Sequence, residues 1–240
     1  MTCGCRSQNE SVEVHRGVSG LQSEFEHGFG EMEQGGQPPV PQVRATFRLE
    51  CPAGCAPVVA AQCNATLRRA ILDAIEIANN AARKLTAAQT DAETRRLFRF
   101  FLGHDPSRPV PWANNQESRL IVAKRLLTST RELGGGRWTQ YRCGCPGAGP
   151  GVRARTISPI EVRLCPIFWG ASPQPGLSTR FFRAGVILHE MLHQLYIEFI
   201  RHNPNERRRN NAHCYEALAM RLAGHAADQS DVRQCRERPA

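Results

Sequence analysis

Apolar residues recur at every third or fourth position along three segments in the first half of the chain, a spacing typical of amphipathic helices. The segments span 66–82, 91–101 and 116–133. Gly103 follows the second segment, and three consecutive glycines follow the third. Glycine just beyond the last apolar turn commonly ends a helix. The pattern therefore predicts three helices in this half of the chain.

The second half contains both strand-like alternation and helical spacing. Residues 137–142 and 160–164 alternate apolar with polar side chains, which predicts a small β-sheet or hairpin. The apolar run 181–200 has the pattern of a buried helix, with Ser178 as its N-cap, and a last helix is predicted over 212–226. Together these elements predict a mainly helical α+β fold.

The first 42 residues differ in composition from the rest of the chain. They are rich in Gly, Glu, Ser and Gln, and they close with Gln37-Pro38-Pro39-Val40-Pro41. Such a segment buries too little apolar surface to offset the entropy of ordering. We expect a disordered acidic tail over residues 1–42 and one folded domain over residues 43–240.

Residues His189-Glu190-Met191-Leu192-His193 form an HExxH motif inside the predicted buried helix. Positions i and i+4 of a helix lie one above the other, so both imidazoles can point at one metal ion. Glu190 projects beside that ion, where it can take a proton from a water molecule. The motif predicts a zinc hydrolase site with His189 and His193 as ligands and Glu190 as general base.

A catalytic zinc ion takes three protein ligands, so a third donor must come from outside this helix. Among the residues downstream, His213 and Glu216 share one face of the last predicted helix. We rank His213 first, Glu216 second and His202 third as the third ligand. A site of three histidines keeps the bound water acidic, because imidazole ligands are neutral.

The chain has ten cysteines, an even number that is high for a reduced cytosolic enzyme of 240 residues. Oxidised pairing is the preferred interpretation, with Cys214 and Cys235 as one candidate pair. A structural zinc held by Cys51, Cys55, Cys143 and Cys145 is the alternative. Disulfides favour secretion or another form of export, although the first residues do not form a signal peptide of the usual type.

The formal net charge is +9, and a basic surface can attract nucleic acid or anionic membranes. However, the arginines are scattered and lack interleaved aromatic residues, which favours a solvated basic face. No apolar stretch reaches the roughly 20 residues of a membrane-spanning helix. We expect a monomer with a protein or peptide substrate, no nucleic-acid partner and no membrane span.

Five motifs follow one another along the chain: Phe98-Arg-Phe-Phe-Leu-Gly103, Cys143-Gly-Cys145, Leu164-Cys-Pro-Ile-Phe168, Val186-Ile-Leu-His-Glu-Met-Leu-His193 and Asn211-Ala-His-Cys-Tyr-Glu-Ala-Leu-Ala219. These motifs and their order resemble those of the aspzincin metallopeptidases, the deuterolysin and peptidyl-Lys metallo-endopeptidase group. The resemblance covers about residues 60–225.

This resemblance implies a secreted zinc endopeptidase with a zincin-like fold and an HExxH active-site helix. It also implies two disulfides, Cys63 to Cys143 and Cys145 to Cys165. Aspzincins take their third ligand from an Asp in a Gly-Thr-x-x-Asp motif, which this chain lacks, and His213 stands where the family usually has a later Asp. The family's lysine specificity therefore does not carry over.

Tyr215 is a further catalytic candidate, because a tyrosine beside zinc can donate a hydrogen bond to the oxyanion. Packing in the apolar face of the last helix is the other interpretation of Tyr215. Together, the motifs predict a zinc-dependent endopeptidase that uses Zn²⁺, His189, His193, His213, Glu190 and Tyr215. A binding or effector module that keeps the metallopeptidase fold without turnover is the alternative, and a nucleic-acid binder is a more distant one.

Overall fold

The computed structural model describes residues 47–51, 56–108, 110–112, 115–117, 119–196 and 207–237. The helices are α1 Pro57–Thr86, α2 Ala92–Leu102, α3 Arg119–Arg131, α4 Pro166–Trp169, α5 Thr179–Tyr196, α6 Ala212–Leu222 and α7 Gln229–Glu237. The strands are β1 Phe47–Glu50, β2 Val110–Trp112, β3 Asn115–Glu117, β4 Thr139–Cys143, β5 Ala154–Ser158 and β6 Glu161–Leu164. The predicted α+β class is confirmed, and the predicted tail over residues 1–42 lies outside these ranges.

Helix α1 is the longest described helix and packs against α3, α5 and α6. It begins at Pro57, nine positions before the predicted start, and proline suits the first turn because that turn's N–H groups have no partner within the helix. The apolar stripe predicted from residue 66 onward is buried, including Leu67, Ile71, Ala74 and Ala78. Burial of this stripe holds the helical layer together.

The caps of α2 follow the predicted local signals. Asp91 precedes the helix, and its Oδ1 accepts a hydrogen bond from the Thr94 backbone N–H at 2.7 Å. Gly103 closes the helix with φ 78°, a left-handed conformation that glycine adopts without a Cβ clash. The predicted bounds of this helix are therefore confirmed to within one residue.

Helix α3 starts later than predicted. Residues 115–117, which we expected near its start, form β3 and pair antiparallel with β2. At its other end the helix widens into a π-helical turn over Glu132–Gly136, in which Gly135 has φ 114°. The three glycines thus end the helix as predicted.

The four-stranded sheet has the order β1-β4-β6-β5. Strands β1 and β4 are parallel, as are β4 and β6, and only β5 runs antiparallel to its neighbour. A small sheet was predicted correctly. The prediction of a hairpin between residues 137–142 and 160–164 was wrong. These segments form β4 and β6, which are parallel, and it is β5 that forms a hairpin with β6.

One face of this sheet lies against the helices, and β5 is its edge strand. Strands β1, β4 and β6 each bury one or two side chains on the helical side of the sheet: Leu49, Tyr141, Val162 and Leu164. Strand β5 packs on α5. This contact brings the edge of the sheet to the helix that carries the HExxH motif.

The last part of the chain adds α6 and α7. Helix α6 ends at Leu222, earlier than the predicted Ala226, and Gly224 follows it with φ 86°. Helix α7 was not predicted; it packs against α6 and α2. None of the helices that the structure describes is both long enough and apolar enough to cross a membrane.

The cysteine pairing agrees with two predictions and overturns one. Cys145–Cys165 and Cys214–Cys235 are disulfides. The predicted Cys63–Cys143 bridge is wrong, because Cys143 lies beside Cys51, with 3.6 Å between the sulfurs and no bond. Cys63 is itself disulfide-bonded.

Candidate metal centre

Helix α5 carries the whole HExxH motif. His189, Glu190 and His193 are buried on it, among Val186, Ile187, Leu188, Met191 and Leu192. The two imidazoles face each other one helical turn apart, with 3.1 Å between His189 Nε2 and His193 Nε2. The spacing of the motif thus brings the two ring nitrogens together, and their role as ligands of one ion stays a prediction.

Glu216 of α6 contacts Nδ1 of His189, the ring nitrogen that does not face His193. Its Oε2 is 3.0 Å from His189 Nδ1, and both side chains are buried. Burial raises the pKa of Glu216 well above the ordinary carboxyl value, and the nearby Asp231 adds to the rise. A cation in the site would oppose this shift and favour the carboxylate.

His213 lies in the first turn of α6, next to His189. Asn211 is the N-cap of that helix, and its side chain accepts a hydrogen bond from the His213 backbone N–H at 2.9 Å. The His213 and His189 ring centroids are 4.4 Å apart. His213 Nδ1 lies 2.7 Å from Asp231 Oδ1.

His189, His213 and Glu216 form a group that could hold a metal ion, with ligand atoms all within 4.8 Å of one another. His193 is outside this group but meets His189 through the opposite ring nitrogen. Two nitrogens bound to one tetrahedral zinc at about 2.05 Å are roughly 3.3 Å apart, close to the Nε2 separation of the two α5 histidines. The donors present could therefore hold a metal ion.

Glu190 is held by the edge strand of the sheet. Thr156 Oγ1 of β5 lies 2.7 Å from Glu190 Oε2. Burial raises the pKa of Glu190 to about 7, and the hydrogen bonds from Thr156 oppose that rise. A carboxyl group with a pKa near neutrality is suited to general base catalysis.

Gly185 has no side chain, and the Glu216 carboxyl occupies the space where a larger side chain would lie. Gly185 lies one turn before His189 on α5, and a Cβ at this position would be 2.4 Å from Glu216 Oε1. Any larger residue would push the carboxylate away from its place beside His189. The contact explains why a glycine stands in the middle of a buried helix, where it costs about 1 kcal/mol relative to alanine.

A cavity of about 640 Å³ opens over these residues. One wall is the segment 151–156, which includes the start of β5, and the opposite side comes from α5, α6 and α7. His189, Glu190, His193, His213 and Glu216 all line it. The cavity thus joins the candidate ligands, the candidate base and the edge of the sheet.

Tyr215 is not brought to this cavity. Its side chain is 1% exposed, and its hydroxyl accepts a hydrogen bond from Arg125. The geometry gives no support to its predicted role at an oxyanion and agrees with packing in the core instead.

Two other side chains downstream of the motif that could bind a metal are engaged elsewhere. Cys214 is in a disulfide, and His225 stacks on Phe181 with 3.7 Å between ring centroids. His202 lies outside the described ranges, so its rank as third ligand stays a prediction.

Comparison with known proteins adds no assignment. No protein-family model and no curated protein matches this chain. The site is therefore interpreted from its own residues and geometry.

Four residues that the sequence did not single out shape the site: Thr156, Gly185, Arg153 and Asp231. Gly185 was the one with a visible local signal, since glycine interrupts an otherwise good helical pattern. The roles of the other three depend on contacts between distant segments, with sequence separations of 34 for Thr156 and Glu190 and 78 for Arg153 and Asp231.

Proposed function

We propose that this chain is a zinc-dependent endopeptidase that hydrolyses peptide bonds of proteins. One observation carries the proposal: His189 Nε2 and His193 Nε2 lie 3.1 Å apart beside the buried carboxyl of Glu190. The zincin-like fold and the aspzincin kinship suggested by the motifs belong to this proposal.

The proposed ligands are His189, His193 and His213. His189 has only one nitrogen to give to an ion, and its Nδ1 is already engaged by Glu216. Its Nε2 faces His193, which favours the pair on α5 over a site that uses Glu216. We therefore assign Glu216 to holding the His189 ring, a common task for a carboxylate behind a zinc-bound histidine.

A zinc ion bound there would polarise the scissile carbonyl and make a bound water acidic. Glu190 accepts a proton from the attacking water and delivers it to the leaving nitrogen. Thr156 keeps the Glu190 carboxyl oriented during both transfers, because its hydroxyl is within hydrogen-bond distance of Oε2.

The edge of the sheet suits an extended peptide. Strand β5 pairs with β6 on one side, and the segment 151–156 lines the cavity. A substrate strand can add to such an edge through main-chain hydrogen bonds, which favour protein substrates without demanding one sequence. This placement would set a peptide bond over Glu190.

The proposed site of action is outside the reducing cytosol. Cys145–Cys165 and Cys214–Cys235 are disulfides, and disulfides persist mainly in oxidising compartments. Secretion or another form of export would provide such an environment.

The test combines metal analysis with casein hydrolysis by the purified full-length chain. We expect one zinc per chain, hydrolysis that a chelator abolishes and zinc restores, and loss of hydrolysis in Glu190→Gln with zinc retained. Glu93→Gln, at an exposed glutamate on α2, is the matched control and should keep full activity. Bound zinc without hydrolysis by the unaltered chain would favour the inactive binding module, and absence of zinc would overturn the proposal.

The ligand set is tested separately. His193→Ala should abolish stoichiometric zinc, whereas Glu216→Gln should weaken zinc by roughly 10- to 100-fold. The reverse order of effects would identify Glu216 as the ligand in place of His193.

A further inference from the structure

A buried carboxylate lies behind His213. Asp231 is 0% exposed, and its Oδ1 is 2.7 Å from His213 Nδ1. The residue belongs to α7, a helix whose other buried residue is Cys235. Asp231 is therefore oriented towards α6 rather than towards solvent.

Arg153 fixes the position of this carboxylate. Its guanidinium lies 3.0 Å from Asp231 Oδ2 and 2.7 Å from Asp228 Oδ2. Arg153 Nη1 lies within hydrogen-bond distance of both Asp231 oxygens, with the shorter contact to Oδ2 and a 3.2 Å contact to Oδ1, the oxygen that faces His213. A buried carboxylate with both oxygens engaged has few alternative orientations.

A covalent link keeps α7 next to the site. Cys214 follows His213 directly in α6 and is joined to Cys235 of α7. Cys235 lies four residues after Asp231, so both face the same side of α7. The only two buried residues of this helix are thus the one that contacts His213 and the one that anchors the helix to α6.

We propose that Asp231 is a positioning residue for the third metal ligand. It accepts the Nδ1 proton of His213, fixes the tautomer and ring orientation, and leaves Nε2 for the ion. A carboxylate in this place also raises the basicity of the ligating nitrogen. The inference rests on the proposed zinc site and adds the function of α7, which is to carry this carboxylate.

His189 has a parallel arrangement. Glu216 lies at its Nδ1 as Asp231 lies at that of His213, so two of the three proposed ligands are each backed by a buried carboxylate. The two carboxylates come from different helices, α6 and α7. Each of these two imidazole rings is therefore oriented through its Nδ1, while Nε2 is the nitrogen proposed to bind the ion.

The experiment compares Asp231→Asn with Asp228→Asn in the full-length chain. Both changes replace a buried carboxylate beside Arg153 with an amide of the same shape, but only Asp231 contacts His213. Zinc affinity is measured by competition with a chromophoric chelator, and cobalt replaces zinc to give a ligand-sensitive absorption spectrum. Circular dichroism checks that each variant is folded.

We expect Asp231→Asn to weaken zinc by about 10-fold or more and to alter the cobalt spectrum. Asp228→Asn should stay within about twofold of the unaltered chain, with an unchanged spectrum. Equal effects of the two substitutions, or no effect of Asp231→Asn, would overturn the inference. If the unaltered chain binds no zinc, it is the proposed function that fails.

A second measurement needs no substitution. Long-range proton–nitrogen correlation spectra of the zinc-loaded chain report which ring nitrogen of His213 carries the proton. A proton on Nδ1 is expected, and a proton on Nε2 would contradict the inference even if Asp231→Asn did not fold.

Discussion

Thr156 Oγ1 lies 2.7 Å from Glu190 Oε2 and 3.1 Å from the Glu190 carbonyl oxygen, joining the edge of the sheet to the proposed general base. The hydroxyl has a single proton, so it serves one acceptor at a time. Through this contact, β5 orients the carboxyl and opposes the rise of its pKa that burial causes.

Replacing Thr156 with Val removes the donor while keeping the shape of the side chain. We expect kcat to fall by about tenfold, a fraction of what a general base contributes. The pKa of Glu190 should rise, because the Thr156 hydroxyl then no longer opposes the effect of burial. Since the base works as a carboxylate, the acidic limb of the kcat/KM profile should move to higher pH.

Thr156→Ser is the control for this substitution, because it retains the hydroxyl. It should keep the acidic limb near that of the unaltered chain. An unshifted limb in Thr156→Val would show that the hydroxyl does not tune Glu190.

Gly185→Ala tests the space beside Glu216. The new Cβ would lie 2.4 Å from Glu216 Oε1, so the carboxylate must move away from His189. We expect weaker zinc binding and a loss of about 1 to 3 kcal/mol in the free energy of unfolding, reduced by up to about 1 kcal/mol from the better helix propensity of alanine. Urea titration and chelator competition measure the two effects.

The control for Gly185→Ala is the same change in a Glu216→Ala background. With no carboxylate to displace, alanine should be neutral or stabilising there, so the two substitutions should not be additive. Additive losses would place the strain elsewhere.

Local signals in the sequence were enough to predict α2 and α5. Asp91 and Gly103 mark the two ends of α2, and the apolar spacing around His189 marks α5. Such features depend on neighbours within a turn or two, which a sequence displays directly.

Helix α7 and the sheet topology depend on distant contacts and could not be predicted in this way. Helix α7 buries only Asp231 and Cys235, so it has no apolar stripe to recognise. The parallel pairing of β4 with β6 requires β5 to lie outside them, and no spacing within either segment encodes that order. The same limit applies to the carboxylates behind His189 and His213, each brought in by tertiary packing.

Asn211→Ala tests how the start of α6 positions His213. The Asn211 side chain caps the helix through the His213 backbone N–H, and losing such a cap costs about 1 kcal/mol. We expect that loss in the free energy of unfolding, together with weaker zinc binding. Asn211→Ser keeps a side-chain acceptor and should retain most of both, whereas equal losses in Ser and Ala would contradict a capping role.

Oxidation should join Cys51 and Cys143 in the mature protein. Their sulfurs are 3.6 Å apart across parallel β1 and β4, immediately beyond the paired residues Glu50 and Arg142. A disulfide exchange partner would accept the two electrons and two protons that the thiols lose, and would itself be reduced to a dithiol. Peptide mapping without reductant should find a Cys51–Cys143 bridge, and a Cys63–Cys143 bridge or two alkylated thiols would contradict this expectation.

The same bridge predicts a stability difference. It would close a loop between residues 92 positions apart, and in the chain-entropy model such a link contributes about 4.6 kcal/mol. Cys51→Ser should therefore lower the midpoint of thermal unfolding under oxidising conditions. After full reduction the two proteins should unfold at nearly the same temperature, since the serine then replaces a thiol that makes no covalent link.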